Sequence, residues 1–548
     1  MCYNEIRGFF MKLLTELKVK IGYTDVDIFQ AIQKKYNIFK NEIEKFEIVK
    51  ESLDSRKKPD IFYSLNVAVE VKNTAKKKVL KLNDVLVSHC GVEYKKVNFN
   101  GKRPIVVGFG PAGMFAGLSL AVAGFKPIII EQGKEVFSRQ KDVDEFWNNR
   151  KLNKYSNIQF GEGGAGTFSD GKLASNVSNE YTKTAINEFI LNGAPKEIFY
   201  SYAPHIGSDR LKEVVKNIRE KIKSLGGDVV FNTKFEDFET DEDGVVSKVY
   251  ARNVESDEKL VFETNSLTLA IGHSAVDTYK LLDEKKFDLK QKPFAMGVRI
   301  EQSQNDINMS QYGKLDDKLP SANYKLAVHL ENGRSVFTFC MCPGGYVVAS
   351  SSEEGTVVTN GMSEYARDGK NANSAVLVNV TPEDFGSSEP LAGVEFQHKY
   401  EKLAFELGGR DYSAPAEKVK DFLSGNENPD DNFEKVLPTY RPRIKAADLS
   451  KCLPDFVIES LKLALPKFNQ KIDSFALDDN LLIGVESRSS APVQIVRDEN
   501  FMTKTKGLFV CGEGAGYAGG ITSSAADGIK CAEKVMGYLK GWFLKNIM

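Results

Sequence analysis

The chain has 548 residues, 42% of them hydrophobic, which at the usual domain size predicts about three domains. Its 75 Asp and Glu nearly balance 74 Lys and Arg, leaving a net charge of −1 that excludes a global attraction to nucleic acid or an anionic membrane. Seven scattered cysteines (Cys2, Cys90, Cys340, Cys342, Cys452, Cys511, Cys531) show no metal-ligand spacing, so no metal is expected and a reduced, cytoplasmic setting fits best. The opening MCYNEIRGFFMKLL lacks the apolar core and cleavage site of a signal peptide, and no apolar run is long enough to span a membrane.

Residues 1–98 read as a small α+β module. The pattern predicts a helix over Asp25 to Tyr36, capped by Thr24 or Asp25. Strands follow at 46–49 and 62–71, joined by the charged connection Asp54 to Asp60. The first hundred residues carry 19 Lys and Arg against 13 Asp and Glu, a mild excess that suits a solvated face and is the only hint of an RNA or protein partner.

From about 99 the chain turns to α/β character. Ile105-Val106-Val107 is a buried-strand pattern, followed by glycines at 108, 110 and 113, an Ala-rich helix from Pro111 to Ala123, and a second strand pattern, Pro127 to Ile130, ending in Glu131. This is a dinucleotide-binding βαβ unit. Gly108 permits the tight turn, Gly110 lets backbone approach a pyrophosphate, and Gly113 lets the helix pack close to the sheet. Pro111 and Ala112 open the helix, whose N-terminus attracts phosphate. Glu131, followed by Gln132, is placed to accept from ribose hydroxyls. Arg139, in a charged helix at 135–147, is within reach of the cofactor phosphates. The glycine-dense loop 161–172, containing Gly163, Gly164 and Lys172, suggests backbone pressed against a flat or phosphorylated group.

An amphipathic helix is predicted over 208–225, with Leu211, Val214, Val215, Ile218, Ile222 and Leu225 on one face. A strand at Val229 to Phe231, a small meander at 249–262, and a strand running into Gly272 and His273 complete the segment to 280. Residues 281–475 read as an inserted α+β substrate domain, with antiparallel strands near 298–300 and 336–339, a Pro343-Gly344-Gly345 turn and helices near 395–407 and 454–465. Residues 476–548 return to the first domain, with strand 508–511, a second glycine cluster at 512–520 and a long helix. The fold expected is therefore α/β: a discontinuous Rossmann-like domain from 99–280 and 476–548, an inserted domain, and the N-terminal module.

Two stretches select FAD over NAD by resemblance. Leu508 to Glu513 resembles the C-terminal FAD motif of glutathione-reductase-type flavoproteins, in which the acidic residue contacts the ribityl chain and the following helix N-terminus, here Gly519 to Thr522, faces the flavin. Leu267 to Gly272 resembles the second motif of that fold, with Ile271 where Thr is usual, and the resemblance sets Val230 beside the adenine. The chain as a whole resembles a bacterial family of uncharacterised FAD-dependent dehydrogenases, through Ser52 to Asp60, Gly161 to Lys172, Lys292 to Glu301, Thr338 to Gly345, Asn360 to Ser363 and Gly512 to Thr522. That resemblance implies an FAD-binding fold and names no substrate. Gly272, Gly512, Glu513, Gly520, Ile521 and Thr522 join the cofactor residues on this basis.

The chemistry expected is hydride transfer between flavin N5 and a small organic substrate. No second complete fingerprint for a nicotinamide cofactor is legible, so NAD(P)H would serve as a transient electron donor or be replaced by another. Arg299 and Arg488 are candidates for clamping a substrate carboxylate, with an internal ion pair to Glu301 or Glu486 as the alternative. Cys340 and Cys342 are either packed strand residues or a redox pair beside the flavin; on a regular strand their separation lies at or beyond disulfide reach. An RNA-modifying flavoprotein and a non-catalytic flavin-binding scaffold are the other function classes. Oligomeric state is not legible.

Overall fold

The computed structural model describes residues 8–174 and 179–547; Cys2 and most of the opening segment lie outside them. Four antiparallel strands, β1 (Gly8–Val19), β2 (Ile43–Asp54), β3 (Phe62–Val71) and β4 (Asp84–Ser88), form the N-terminal sheet in the order β2-β3-β1-β4. Helix α1 (Asp25–Tyr36) buries Ile28 and Ile32 in a core with Leu14, Leu17, Leu65 and Val67.

The nucleotide fold begins with β5 (Ile105–Val107), α2 (Pro111–Val122), β6 (Ile128–Ile130) and α3 (Val136–Asn149). It continues through α4 (Glu180–Leu191), α5 (Ser208–Ser224), β7 (Asp228–Val230), the meander β8 (Thr233–Thr240), β9 (Val246–Asn253) and β10 (Lys259–Glu263), and β11 (Leu267–Leu269). The strands are short and mostly apolar because both faces of the sheet are covered, one by helices α2, α5 and α8 (Ile521–Ile547) and the other largely by the β8–β10 meander. Its parallel order is β23-β11-β5-β6-β7, so β23 (Leu508–Val510), from the far end of the chain, supplies an edge. Helix α8 then packs on α2. Gly528 makes that contact possible, since a Cβ there would lie 2.1 Å from the Ala112 carbonyl oxygen.

Between these parts, β12 (Leu289–Gln291) leads into an inserted sheet of seven strands. These are β13 (Phe294–Ser303), β14 (Ala327–His329), β15 (Ser335–Cys342), β18 (Asn371–Val380), β19 (Ala414–Lys418), β20 (Ile444–Ala446) and β21 (Leu481–Glu486). Their order is β14-β15-β18-β13-β21-β19-β20. A separate hairpin joins β16 (Tyr346–Ala349) to β17 (Thr359–Met362), and β22 (Val493–Ile495) pairs with β12 where the chain crosses back. Helices α6 (Ala392–Gly408) and α7 (Asp455–Asn469) contribute to the largest hydrophobic core. The expected return to the nucleotide domain at 476 is corrected: β21 pairs with β13 and β19, so the inserted sheet extends to Glu486. No helix among the described residues is long and apolar enough to cross a membrane.

Candidate functional site

Glycine builds the first turn where a side chain has no room. Gly108 ends β5 at φ +95°, and a Cβ there would lie 2.4 Å from the Ala270 carbonyl oxygen. A Cβ on Gly113 would lie 1.9 Å from the Gly108 carbonyl oxygen, so α2 rests directly on the turn. Gly110 caps α2 with no side-chain acceptor, and Pro111 takes the first helical position. The Gly110 backbone faces that of Gly164, which brings the two glycine loops together at one rim.

Glu131 ties this rim. Its Oε2 accepts from the Phe109 N–H at 2.8 Å, and its Oε1 accepts from Gly133 at 2.9 Å and Gly161 at 3.0 Å. One carboxylate thus fixes the turn after β5, the turn after β6 and the start of the glycine loop. A cavity of about 340 Å³ opens beside it, and a second of about 430 Å³ adjoins through Gly108, Glu131, Phe160, Ile271 and Ser274. The second runs past Gln132, Tyr155 and Thr233, on the β6 side of the trough. The first ends at Gly519, Gly520 and Ile521, the N-terminus of α8, and at Glu513 and Cys340.

These residues fit FAD. Backbone glycines form the wall where a pyrophosphate must approach, an acid sits at the tip of β6, and an uncapped helix N-terminus waits at the opposite end. Burial pushes the Glu513 carboxyl up to about 7 against the opposing charge of Lys292. His273, also on the wall, is pushed down to about 4 by burial and by the charge of Arg488, so it stands as a neutral imidazole.

Of the residues singled out from sequence, Gly108, Gly110, Pro111, Ala112, Glu131, Gly164, Lys172, Gly272, Glu513, Gly520, Ile521, Arg488 and Cys340 line the first cavity, and Gln132 the second. Gly113, Gly163, Val230, Gly512 and Thr522 stand behind the wall. Gly163 donates its N–H to the Phe109 carbonyl, and the Val230 carbonyl accepts from the Glu131 N–H. The Gly512 N–H goes to Asp527, and the Thr522 hydroxyl to the Leu173 carbonyl.

Three expectations are corrected. Arg139 does not reach for phosphate; it is fully buried and donates to the carbonyls of Asn157, Ile158, Glu162 and Gly164, bracing the glycine loop from behind. Arg299 is no substrate clamp, because its guanidinium is fully buried and pairs with Glu486 through two contacts. Arg488 touches the cavity, but its N–H groups go to Glu401, Glu353, Ser274 and Ser352, which uses all five donors.

Sequence reasoning did not place Thr359 and Asn360, from the β16–β17 hairpin, or Glu486, from β21, on the cavity wall. It also missed Asp170, a buried carboxylate held by Arg367, Ser363 and Lys172. A signal was available: Gly361, beside Asn360, is the glycine whose Cβ would meet Arg299 Nη1 at 2.3 Å.

Residues 293–489 match a family described as "FAD-dependent protein, C-terminal domain-like", and residues 11–70 match a domain of unknown function. A relative from Clostridium beijerinckii, described as an uncharacterized protein, is 46% identical over 518 residues, covering 92% of this chain and 95% of its own. Among solved structures, the FAD complex of the glycerol-3-phosphate dehydrogenase from Bacillus halodurans aligns over 81% of this chain and 66% of its own, at 13% identity and a TM-score of 0.38. A flavoprotein/dehydrogenase from Cytophaga hutchinsonii aligns over 80% and 79%, at 13% identity and a TM-score of 0.34.

Proposed function

We propose that this chain, which belongs to one family with the Clostridium beijerinckii relative and has FAD as its cofactor, is an oxidoreductase that moves a hydride between flavin N5 and a small organic substrate. The observation that carries this reading is the far end of the trough, where the N-terminus of α8 and the half-buried Glu513 line one cavity with residues of the inserted segment. Flavin supplies the two-electron chemistry when bound.

The chain's own residues supply position and charge. The N–H groups at the start of α8 stabilise negative charge developing beside them, by up to about 2 kcal/mol in a partly buried setting. Glu513, with its carboxyl near 7, is able either to accept or to donate a hydrogen bond to a hydroxyl at neutral pH. Glu131 and the two glycine loops hold the nucleotide end. His273, being neutral, orients a polar group rather than supplying a positive charge.

Both arginines that suggested an anionic substrate are engaged by carboxylates of the same chain, so the substrate proposed here is a neutral one. The wall it meets is made by Phe339, Cys340, Thr359 and Asn360. A nicotinamide donor would enter this same cavity, since the described residues contain a single five-stranded parallel sheet with a glycine fingerprint. The test is an absorbance spectrum of purified protein before and after anaerobic NADPH and then NADH. Flavin bands bleached quickly by either support the reading. Flavin bands that neither bleaches overturn the nicotinamide donor, and absence of flavin after reconstitution overturns the function.

A further inference from the structure

The pair Cys340 and Cys342 is not arranged as an ordinary strand would arrange it. Along β15 the register against β18 slips between Phe339 and Cys342: Cys340 and Met341 together oppose the single residue Ser374. Cys340 sits at this bulge with φ +44°, a left-handed conformation that few residues other than glycine adopt. The bulge breaks the regular alternation of the strand at this pair. The Cys342 Sγ lies 3.3 Å from the Cys340 carbonyl oxygen. Both are free thiols.

Their surroundings are asymmetric. Cys340 lines the cavity at the end occupied by Gly520, Ile521 and Glu513, whereas Cys342 is fully buried behind it. Two cations flank the pair. Lys172 Nζ donates to the carbonyl of Met341, the residue between the cysteines, and Arg299 Nη1 donates to the Cys340 carbonyl at 3.2 Å. The Cys342 hydrogen bond, with Lys172 and Arg299 behind it, lowers the Cys340 thiol, and the same contact raises Cys342 well above its ordinary value. One thiolate facing the cavity and one thiol behind it are the starting state for disulfide chemistry. A purely structural pair requires neither the strained bulge nor the flanking cations.

We propose that Cys340 and Cys342 form a redox-active dithiol–disulfide couple that exchanges two electrons with the bound flavin. The proposal rests on the flavin reading above. In the oxidising direction, the Cys340 thiolate and the Cys342 thiol together lose two electrons and one proton. The S–H bond of Cys342 breaks as the S–S bond forms, and oxidised FAD takes up both electrons and that proton to become its reduced anion. The net charge is the same on both sides. The reverse transfer reopens the disulfide, so the loaded protein holds two electron pairs rather than one.

The experiment uses holoprotein treated with diamide, freed of it, and titrated anaerobically with dithionite while flavin absorbance is followed. The wild type should consume four electrons per flavin, and Cys340→Ser and Cys342→Ser two each. Cys342→Ser should also show a long-wavelength absorbance shoulder, from a thiolate against oxidised flavin, that disappears on acidification. A readout that needs no variant is alkylation and peptide mapping of the wild type: after diamide both thiols should be protected together, and after dithionite both should react. Flavin bands with only two electrons consumed, or with both thiols still reactive after diamide, overturn the couple and leave the flavoprotein reading standing. Absence of flavin overturns both.

Discussion

Arg299 on β13 and Glu486 on β21 face each other as a fully buried two-point ion pair, Nε to Oε2 at 2.7 Å and Nη2 to Oε1 at 2.6 Å. The remaining Arg299 donors reach Asn373, Asn360 and the Cys340 carbonyl, so the pair fixes the cavity wall contributed by the inserted sheet. Removing one partner strands the other charge in a dry interior. Arg299→Met should therefore lower stability by about 3–5 kcal/mol, and adding Glu486→Leu should restore much of it. Denaturation of the two variants measures this; a single variant within 1 kcal/mol of wild type, on the scale expected of an exposed pair, would show that the pair is not the anchor.

Glu131→Ala removes the acceptor shared by Phe109, Gly133 and Gly161. The variant should purify with at least about tenfold weaker FAD retention, the effect of losing roughly 1.4 kcal/mol of binding. Flavin-to-protein absorbance ratios after gel filtration check this, and full occupancy would misplace the nucleotide end of the trough.

Gly110→Ala and Gly113→Ala should separate two roles of one fingerprint. At Gly110 φ is −75° and an added Cβ stays 3.6 Å from its nearest neighbour, so the fold should tolerate alanine while the methyl obstructs the cofactor. At Gly113 the added Cβ strikes the Gly108 carbonyl oxygen, so stability itself should fall, by a few kcal/mol in the manner of an overpacked core. Melting temperature and flavin content measured on the same samples distinguish the cases.

Glu417 on β19 is buried, accepts from the Leu449 N–H at 2.8 Å, and burial pushes its carboxyl from 4.5 up to about 8. The folded chain therefore holds a proton that the unfolded chain has released. The stabilisation is complete below 4.5 and is lost as pH rises toward 8. Glu417→Gln keeps the acceptor and cannot ionise. It should match wild type near about pH 5 and exceed it by on the order of 2–4 kcal/mol near about pH 9. Parallel wild-type and variant curves would mean the carboxyl ionises freely in place.

The nucleotide end of the site was legible in the sequence because its chemistry is backbone chemistry. Gly108 and Gly113 share one short spacing and Glu131 ends the next strand pattern, although the N–H groups that Glu131 ties, at Phe109 and Gly161, come from elsewhere in the chain. The Arg299–Glu486 pair stood among the alternatives read from sequence, whereas the partners of Arg488 were not legible because they are distant. Nothing near Arg488 in the chain announces Glu401 or Glu353, and only the folded sheet brings them within hydrogen-bond distance. Strand β1 was missed for a different reason. Its register slips between Leu14 and Leu17, and Glu16 takes φ +51°, so the alternation that marks a half-buried strand is broken in the middle. The bulge at Cys340 is likewise a local bend that a regular-strand reading of the pair leaves out.

The edge strand β23 and helix α8 that close the nucleotide sheet come from the last part of the chain, after the whole inserted sheet. On a ribosome, β11 and α2 emerge with no cover for the edge and face they later bury. At common bacterial elongation rates that interval is on the order of tens of seconds. The first half is thus synthesised with this edge and face uncovered. A chain halted before residue 508 also lacks the Glu513 and Gly520 wall of the cavity. The cavity is therefore complete only in chains translated far enough to close the sheet.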